Sequence, residues 1–97
     1  MDKQEQSIVS LIPRGAERPI SLAELSRLSG MDGRSLRSLL YHLVTVHHVP
    51  IGGLHGAHSG YFIVTNEDER SKALHPLKSQ VNELNRRIDA IANVELG

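Results

Sequence analysis

The sequence predicts a mainly α fold with a small β-hairpin, in which three short helices precede the hairpin and a long C-terminal helix follows it. Three observations carry this prediction. Apolar residues recur three and four apart in three separate segments before residue 48. Two short β-prone segments then flank a connector that contains four glycines, and beyond residue 66 the helical spacing returns.

The composition is that of a small protein with one domain and an appendage. Of the 97 residues, 39% are hydrophobic and 23% are charged, which is ordinary for a soluble globular protein. The lack of cysteine excludes a disulfide framework and a thiolate zinc finger. The sequence shows neither a signal peptide nor a run of about 20 apolar residues. We therefore expect no membrane partner, and a location in the cytoplasm of a bacterial or phage-infected cell.

The first two helices have recognisable starts and ends. Ile8 and Leu11 lie on one face of the first helix, and a proline and a glycine follow it closely. Ser21, with Glu24 three residues later, predicts a capping box at the start of the second helix. Gly30 is expected to end that helix and to begin a short turn.

The third helix follows Asp32, whose side chain is expected to cap it. Its two faces differ in chemistry. The inner face is aliphatic and consists of Leu36, Leu39, Leu40 and Leu43. The outer face offers hydrogen-bonding groups and positive charge, from Arg34, Arg37, Ser38, Tyr41, His42 and Thr45. This amphipathic pattern predicts a helix that packs on a core by one side and is open to a partner on the other.

After the third helix the apolar spacing changes to a period of two, which is typical of strands. Residues 49–51 and 61–65 predict the two strands of a hairpin, joined by the glycine-rich residues 52–60. Asn66 is expected to cap the last helix. Pro76 is expected to kink or break that helix just upstream, because proline has no amide donor.

The last helix carries an a/d seam over nearly three heptads. The seam consists of Leu74, Leu77, Val81, Leu84, Ile88 and Ile91. We expect it to pair with the seam of a second chain in a homodimer; the alternative is a helix that folds back on its own domain. The flanking positions carry no complementary charge code, so parallel and antiparallel pairing both stay open. The predicted division is a domain over residues 1–65 and a coiled-coil oligomerisation segment over residues 66–97.

Three helices followed by a hairpin is the element order of a winged helix-turn-helix. In that fold the second of two adjacent helices enters the major groove of double-stranded DNA. The candidate DNA-binding residues are Arg34, Ser35, Arg37, Ser38 and Tyr41 in the third helix, and His55 and His58 in the hairpin loop. Arginine bonds guanine or phosphate and serine bonds either, so these residue types suit a DNA surface.

The same segments resemble the N-terminal winged helix of biotin-repressor-type regulators. The resemblance lies in residues 20–25 and 33–43, and in residues 50–51 and 60–63 of the two wing strands. With its helical tail the chain is also similar to small winged-helix proteins encoded by phages and prophages. The resemblance implies a DNA-binding protein for transcription control or phage-type replication, with these groove-facing residues: Arg34, Ser35, Arg37 and Ser38.

Three features differ from the usual pattern of a DNA-binding winged helix. The family usually has a glycine at the end of the third helix, where this chain has His47 and His48. The wing carries neither lysine nor arginine. Eleven basic residues balance eleven acidic ones, whereas nucleic-acid binders usually carry a basic excess. The neutral charge and the uncharged wing favour the alternative function, a winged helix for protein–protein contact and assembly without DNA binding.

Six histidines raise the question of a metal site, and zinc requires three or four convergent ligands. His55 and His58 lie in a loop, while His47 and His48 have no cysteine or carboxylate nearby at ligand spacing. The sequence shows no nucleophile elbow, carboxylate dyad or phosphate-binding glycine loop. We therefore expect no metal, no cofactor, no small-molecule substrate and no enzymatic activity.

Overall fold

Polar side chains start the four helices in the computed structural model of the protein, which describes residues 1–54 and 59–97. The elements are α1 (Lys3–Leu11), α2 (Leu22–Ser29), α3 (Gly33–Thr45), β1 (Ile51–Leu54), β2 (Gly60–Ile63) and α4 (Glu67–Asn93). The four helix-capping side chains, each accepting a backbone N–H three residues on, are Asp2, Ser21, Asp32 and Asn66. Each satisfies a donor that a helix start leaves free. The order confirms the predicted fold class, a winged helix-turn-helix followed by a long C-terminal helix.

The turn between α2 and α3 is short and depends on one glycine. Gly30 has φ +75° and donates its N–H to the carbonyl of Ser26 at 2.9 Å. This left-handed conformation is strained for most residues but not for glycine. The Ser26 hydroxyl donates to the carbonyl of Met31, which closes the turn just before Asp32 caps α3. The predicted turn at Gly30 is confirmed.

The predicted capping box at Ser21 is wrong in its second half. The Ser21 hydroxyl accepts the N–H of Glu24 at 3.0 Å, but the Glu24 carboxylate pairs with Arg27 and does not reach back to Ser21. A charged guanidinium one turn further on competes with the backbone donor. The complete box lies at the start of α1, where Asp2 and Glu5 exchange bonds of 2.8 and 3.0 Å.

The core lies between α3, the two helices before it and β2. Leu36 and Leu43 have no exposed surface, and they point from α3 into this space. We call residues 1–76 the body of the molecule. Its buried apolar residues are Ile8, Ile12, Leu25, Leu36, Leu40, Leu43, Phe62 and Ile63. The predicted inner face of the third helix is thus confirmed, with Leu39 half-buried at its edge.

The hairpin is shifted along the chain from its predicted bounds. β1 and β2 are antiparallel, with Ile51 opposite Ile63. The Val49 N–H donates to the carbonyl of Leu43 at 3.0 Å, so the first residue of the predicted strand closes the end of α3 instead. Val64 donates to Pro50 at 2.8 Å beyond the last ladder pair. Val49, Pro50 and Val64, which were predicted to lie in strands, therefore keep backbone hydrogen bonds but lie outside the paired strands β1 and β2.

The connection between α1 and α2 pairs with the free edge of β2, which the sequence did not predict. Gly15 donates to Ile63 at 2.8 Å, and Ile20 and Tyr61 exchange bonds of 2.9 and 2.7 Å. Gly60 has φ +146°, and a Cβ there would lie 2.6 Å from the carbonyl oxygen of Ile20. Only glycine permits this close approach of the two backbones.

The first turns of α4 pack on the wing. The Glu69 carboxylate accepts the N–H and hydroxyl of Thr65, both at 2.8 Å, and the N–H of Ala16 at 2.9 Å. A Cβ on Gly52 would meet the Ala73 Cβ at 2.8 Å, so this helix lies directly against β1. These contacts fix where α4 leaves the body.

The expected break at Pro76 is wrong, because α4 runs without interruption from Glu67 to Asn93. Proline removes one intrahelical bond, and here the helix continues across that gap. Every residue beyond Pro76 is exposed. None of the helices in the described part of the chain is long and apolar enough to cross a membrane.

Candidate nucleic-acid interface

Helix α3 presents an exposed face opposite its buried leucines. At 100° per residue, Arg34, Ser38 and Tyr41 lie roughly across the helix from Leu36 and Leu40. All three are exposed, and the Tyr41 side chain is 72% exposed, which is unusual for an aromatic residue. Packing by one side only thus leaves the predicted outer face open to a partner along the length of the helix.

The predicted DNA-binding residues of α3 fall into two groups. Arg34, Arg37, Ser38 and Tyr41 are exposed, and among the described residues their side-chain ends have no hydrogen bond or ion pair. The Ser35 hydroxyl, although exposed, donates to the Asp32 carboxylate at 2.9 Å, while the Ser35 N–H donates to the same carboxylate at 2.8 Å. Ser35 therefore serves the helix cap in this structure. The assignment of all five to DNA stays a prediction.

The charges on α3 differ from those on the other helices. Arg27, Arg70 and Arg86 each pair with a glutamate three residues earlier on the same helix. In contrast, α3 contains no acidic residue, and among the described residues neither Arg34 nor Arg37 forms an ion pair. The two guanidinium groups of α3, like that of Arg87 on α4, thus form no ion pair among the described residues.

Hydrogen bonds lower the pKa of the carboxylates at the helix starts. The backbone N–H of Ser35, followed by its hydroxyl, lowers the pKa of Asp32. The N–H and hydroxyl of Thr65, and then the N–H of Ala16, lower the pKa of Glu69. Each bond favours the charged form, so these carboxylates are ionised at neutral pH. Asp32 therefore places one negative charge beside the N-terminus of α3.

The wing adds less to this surface. Its described strands, β1 and β2, carry no charged residue. The two predicted DNA contacts of the wing loop, His55 and His58, lie outside the described residues, and their assignment stays a prediction.

The predicted seam on α4 is exposed along its length. The exposed fractions run from 39% at Leu74 to 74% at Ile91. The first turns of α4 contact the rest of the chain through Glu69 and Ala73. Ala73 is only about 40° around the helix from Leu77, so the seam borders the face that packs on β1. Beyond Pro76 every described residue is exposed, so the seam there does not pack on its own chain in this structure. Its pairing with a second chain stays a prediction.

A cluster of ligand-type side chains joins α1 to the end of α3. The Glu5 carboxylate lies 2.9 Å from His47 Nε2 and 3.6 Å from His42 Nε2. The structure thus places a carboxylate beside His47 that lies far from it in the sequence. No local spacing signals the cluster, since α1 and α3 are far apart in sequence. The available signal was Glu5 itself, which shares the apolar face of α1 with Ile8 and Ile12.

Comparisons with known proteins give one structural likeness. No protein-family model matches the chain, and no curated protein matches it as a relative. Among solved structures, it is similar to CymR (YrzC), the global cysteine regulator of B. subtilis, at 16% identity and a TM-score of 0.49. The match covers 76% of this chain and 60% of that one, less than two-thirds of its length. The winged helix-turn-helix assignment rests on the elements and packing of this chain, and the resemblance to biotin-repressor-type regulators stays a prediction.

Proposed function

We propose that the protein is a double-stranded-DNA-binding homodimer that reads the major groove with the outer face of α3. The observation that carries this proposal is the pair of exposed guanidinium groups of Arg34 and Arg37, which form no ion pair among the described residues, on a helix without acidic residues. In a helix-turn-helix, this is the helix that enters the groove, with its N-terminal residues near the base edges. Both arginines lie in the first turns of α3, where that geometry requires them.

The residues of the outer face have separate roles in this proposal. Arg34 and Arg37 bond guanine edges or phosphates, and Ser38 adds a hydroxyl one turn from Arg34. Tyr41 lies further along the same face and packs on the sugar–phosphate backbone. Ser35 acts through the cap, because its bonds to Asp32 fix where α3 starts. The wing loop, with His55 and His58, approaches the backbone beside the groove.

A second copy supplies what a single neutral chain lacks. A site with two arginines gives little electrostatic affinity, since each neutralised phosphate contributes one increment of counterion release. Two linked copies bind with higher affinity because the second contact becomes intramolecular. We propose that the seam of α4 pairs the two chains, because its apolar residues recur at the a and d spacing that two identical helices satisfy together. The process served is transcription control or phage-type replication.

Duplex titrations across a range of salt concentrations test the DNA assignment. The wild-type protein is expected to bind a random-sequence duplex with an affinity that falls steeply as salt rises. The double variant Arg34→Ala/Arg37→Ala is expected to bind this duplex at least about tenfold more weakly and with a shallower salt dependence, because two guanidinium groups per chain no longer neutralise phosphates. Fluorescence anisotropy of a labelled duplex measures both quantities.

A matched control separates position from charge. The variant Arg70→Ala/Arg86→Ala removes the same number of guanidinium groups from α4, where each is paired within its helix. It is expected to bind DNA nearly as well as the wild-type protein. Equal losses in the two double variants would refute groove reading by α3. A wild-type protein without duplex affinity would favour the protein-interaction function that the uncharged wing also fits.

A further inference from the structure

Three side chains that commonly bind metals converge where α1 meets the end of α3. They are Glu5 from α1, His42 from the last turns of α3, and His47 from the turn that follows. One ligand atom of each lies within 4.8 Å of the ligand atoms of the other two. We propose that these three residues bind a divalent transition-metal ion, such as Zn²⁺, with one coordination position open to solvent or to an exogenous ligand.

The Glu5 carboxylate has a buried oxygen without a hydrogen-bond partner among the described residues. The Glu5 side chain is 9% exposed, and its Oε1 accepts the N–H of Asp2 at 3.0 Å. Its Oε2 is buried and forms no hydrogen bond among the described residues, although His47 Nε2 lies 2.9 Å away. The contact is close but lacks hydrogen-bond geometry. A buried carboxylate oxygen in this state is costly, and a cation placed between it and the imidazoles removes the cost.

The spacing of the donor atoms suits a tetrahedral metal site. Ligand bonds of 2.0–2.1 Å in a tetrahedral site place neighbouring donors about 3.3 Å apart. The two separations from Glu5 Oε2, 2.9 Å to His47 and 3.6 Å to His42, fall on either side of that value. The two imidazole rings stand edge to face at 74°, with centroids 5.1 Å apart. The Nε2 atom of each lies within 3.6 Å of Glu5 Oε2.

The donor set has the chemistry of a transition-metal site. Two imidazole nitrogens and one carboxylate oxygen suit zinc, nickel or ferrous iron better than the hard cations calcium and magnesium, which prefer oxygen. Three protein ligands leave a fourth position vacant in a tetrahedral site. The His42 side chain is 50% exposed, so that position faces solvent.

The fold holds two of the ligands in place before any ion binds. The capping box with Asp2 fixes the Glu5 carboxylate on α1. His48 adopts φ +56°, and the Val49 N–H then bonds the carbonyl of Leu43, which turns the chain sharply and holds His47 beside α1. A positive φ at a residue other than glycine is uncommon and is strained. A bound ion would fasten α1 to the end of α3 through side chains already in place.

Metal titration tests the site without DNA. Zinc binding is measured by calorimetry, and Co²⁺ is used as a spectroscopic probe whose visible absorption reports nitrogen ligation and a tetrahedral geometry. All proteins carry His55→Gln and His58→Gln, so that these two imidazoles contribute nothing. The parent protein is expected to bind one ion per chain and to gain thermal stability on binding, because a ligand that binds only the folded state stabilises it.

Single substitutions assign the ligands. Glu5→Gln and His47→Gln are expected to weaken binding by more than the roughly 10–100-fold that loss of an outer-shell partner costs. His75→Gln, which removes an exposed histidine of α4, is the matched control and should leave affinity unchanged. His42→Gln replaces a half-exposed side chain. It carries the same prediction if circular dichroism shows that Glu5→Gln or His47→Gln fails to fold.

The outcomes distinguish this site from the proposed function. Saturable binding that is lost in the ligand variants supports the metal site, whether or not the protein binds a duplex. Absence of saturable binding in the parent protein, or unchanged affinity in folded His47→Gln and His42→Gln proteins, overturns it. If the protein binds a duplex but no metal ion, the metal site is refuted and the proposed DNA-binding function is not.

Discussion

The body of the molecule, residues 1–76, and the tail, residues 77–97, are stabilised in opposite ways. In the body, Leu25, Leu36 and Phe62 have no exposed surface. In the tail every residue is exposed, including the apolar residues of the seam. Most of the stability of a helix in a protein comes from packing of its apolar face. From this difference we expect the body to fold by its own packing, and we propose that the tail needs a further surface to cover its seam.

The largest expected effect is the loss of the core of the body. Phe62→Ala is expected to lower the free energy of unfolding by about 3–5 kcal/mol, the usual cost of removing a buried aromatic side chain. That is a large fraction of the roughly 5–15 kcal/mol typical of whole domains. Urea denaturation followed by circular dichroism measures it. The control is Leu96→Ala in the tail, where the side chain is 96% exposed and little change is expected. Similar losses in both variants would erase the distinction between body and tail.

A smaller effect is expected within the body, where Glu69 ties the first turn of α4 to Thr65 and to Ala16 of the connection after α1. Its folded pKa is lowered by bonds from Thr65 and Ala16. A carboxylate of this kind stabilises the fold above its unfolded pKa, near 4.3, and the stabilisation is lost as pH falls through the lowered folded pKa. The melting temperature should therefore drop between about pH 5 and about pH 3.

The variant Glu69→Gln is expected to melt lower at neutral pH and to show a weaker fall on acidification than the wild-type protein. Glu95→Gln, at the exposed end of the tail, is the matched control. Scanning calorimetry at a series of pH values measures both. An unchanged pH dependence in Glu69→Gln would show that this carboxylate does not couple α4 to the body.

Local patterns were sufficient to predict most of the fold. Helix caps such as Asp32, the turn at Gly30 and the leucine period of α3 are features of neighbouring residues, and each appears in the structure. The pairing of Gly15 with Ile63 and of Ile20 with Tyr61 joins residues 48 and 41 positions apart, and no local period encodes it. The predicted break at Pro76 was wrong for a related reason. The loss of one backbone hydrogen bond at a proline does not decide whether the surrounding helix continues.

The two candidate sites, the outer face of α3 and the Glu5 cluster, also differ in how far local sequence patterns predict them. The outer face of α3 follows from a spacing of 100° per residue, so Arg34 and Arg37 were predicted to be exposed and are exposed. The Glu5 cluster is made by tertiary packing of α1 on the end of α3, which the sequence shows only as a carboxylate on an apolar face. Sequence spacing therefore predicts what one helix presents, but not what two helices bring together.

The central claim is that the body folds alone and that the tail pairs two copies through its seam. Light scattering of the full-length protein tests it directly. The wild-type chain should have twice its single-chain mass of 10.7 kDa, and Leu84→Glu/Ile88→Glu should have the single-chain mass with the body still folded. Ser79→Glu/Asn82→Glu adds the same charge to the opposite face of α4 and should remain paired. A single-chain mass for the wild-type protein, or an unchanged mass in the seam variant, would contradict the account.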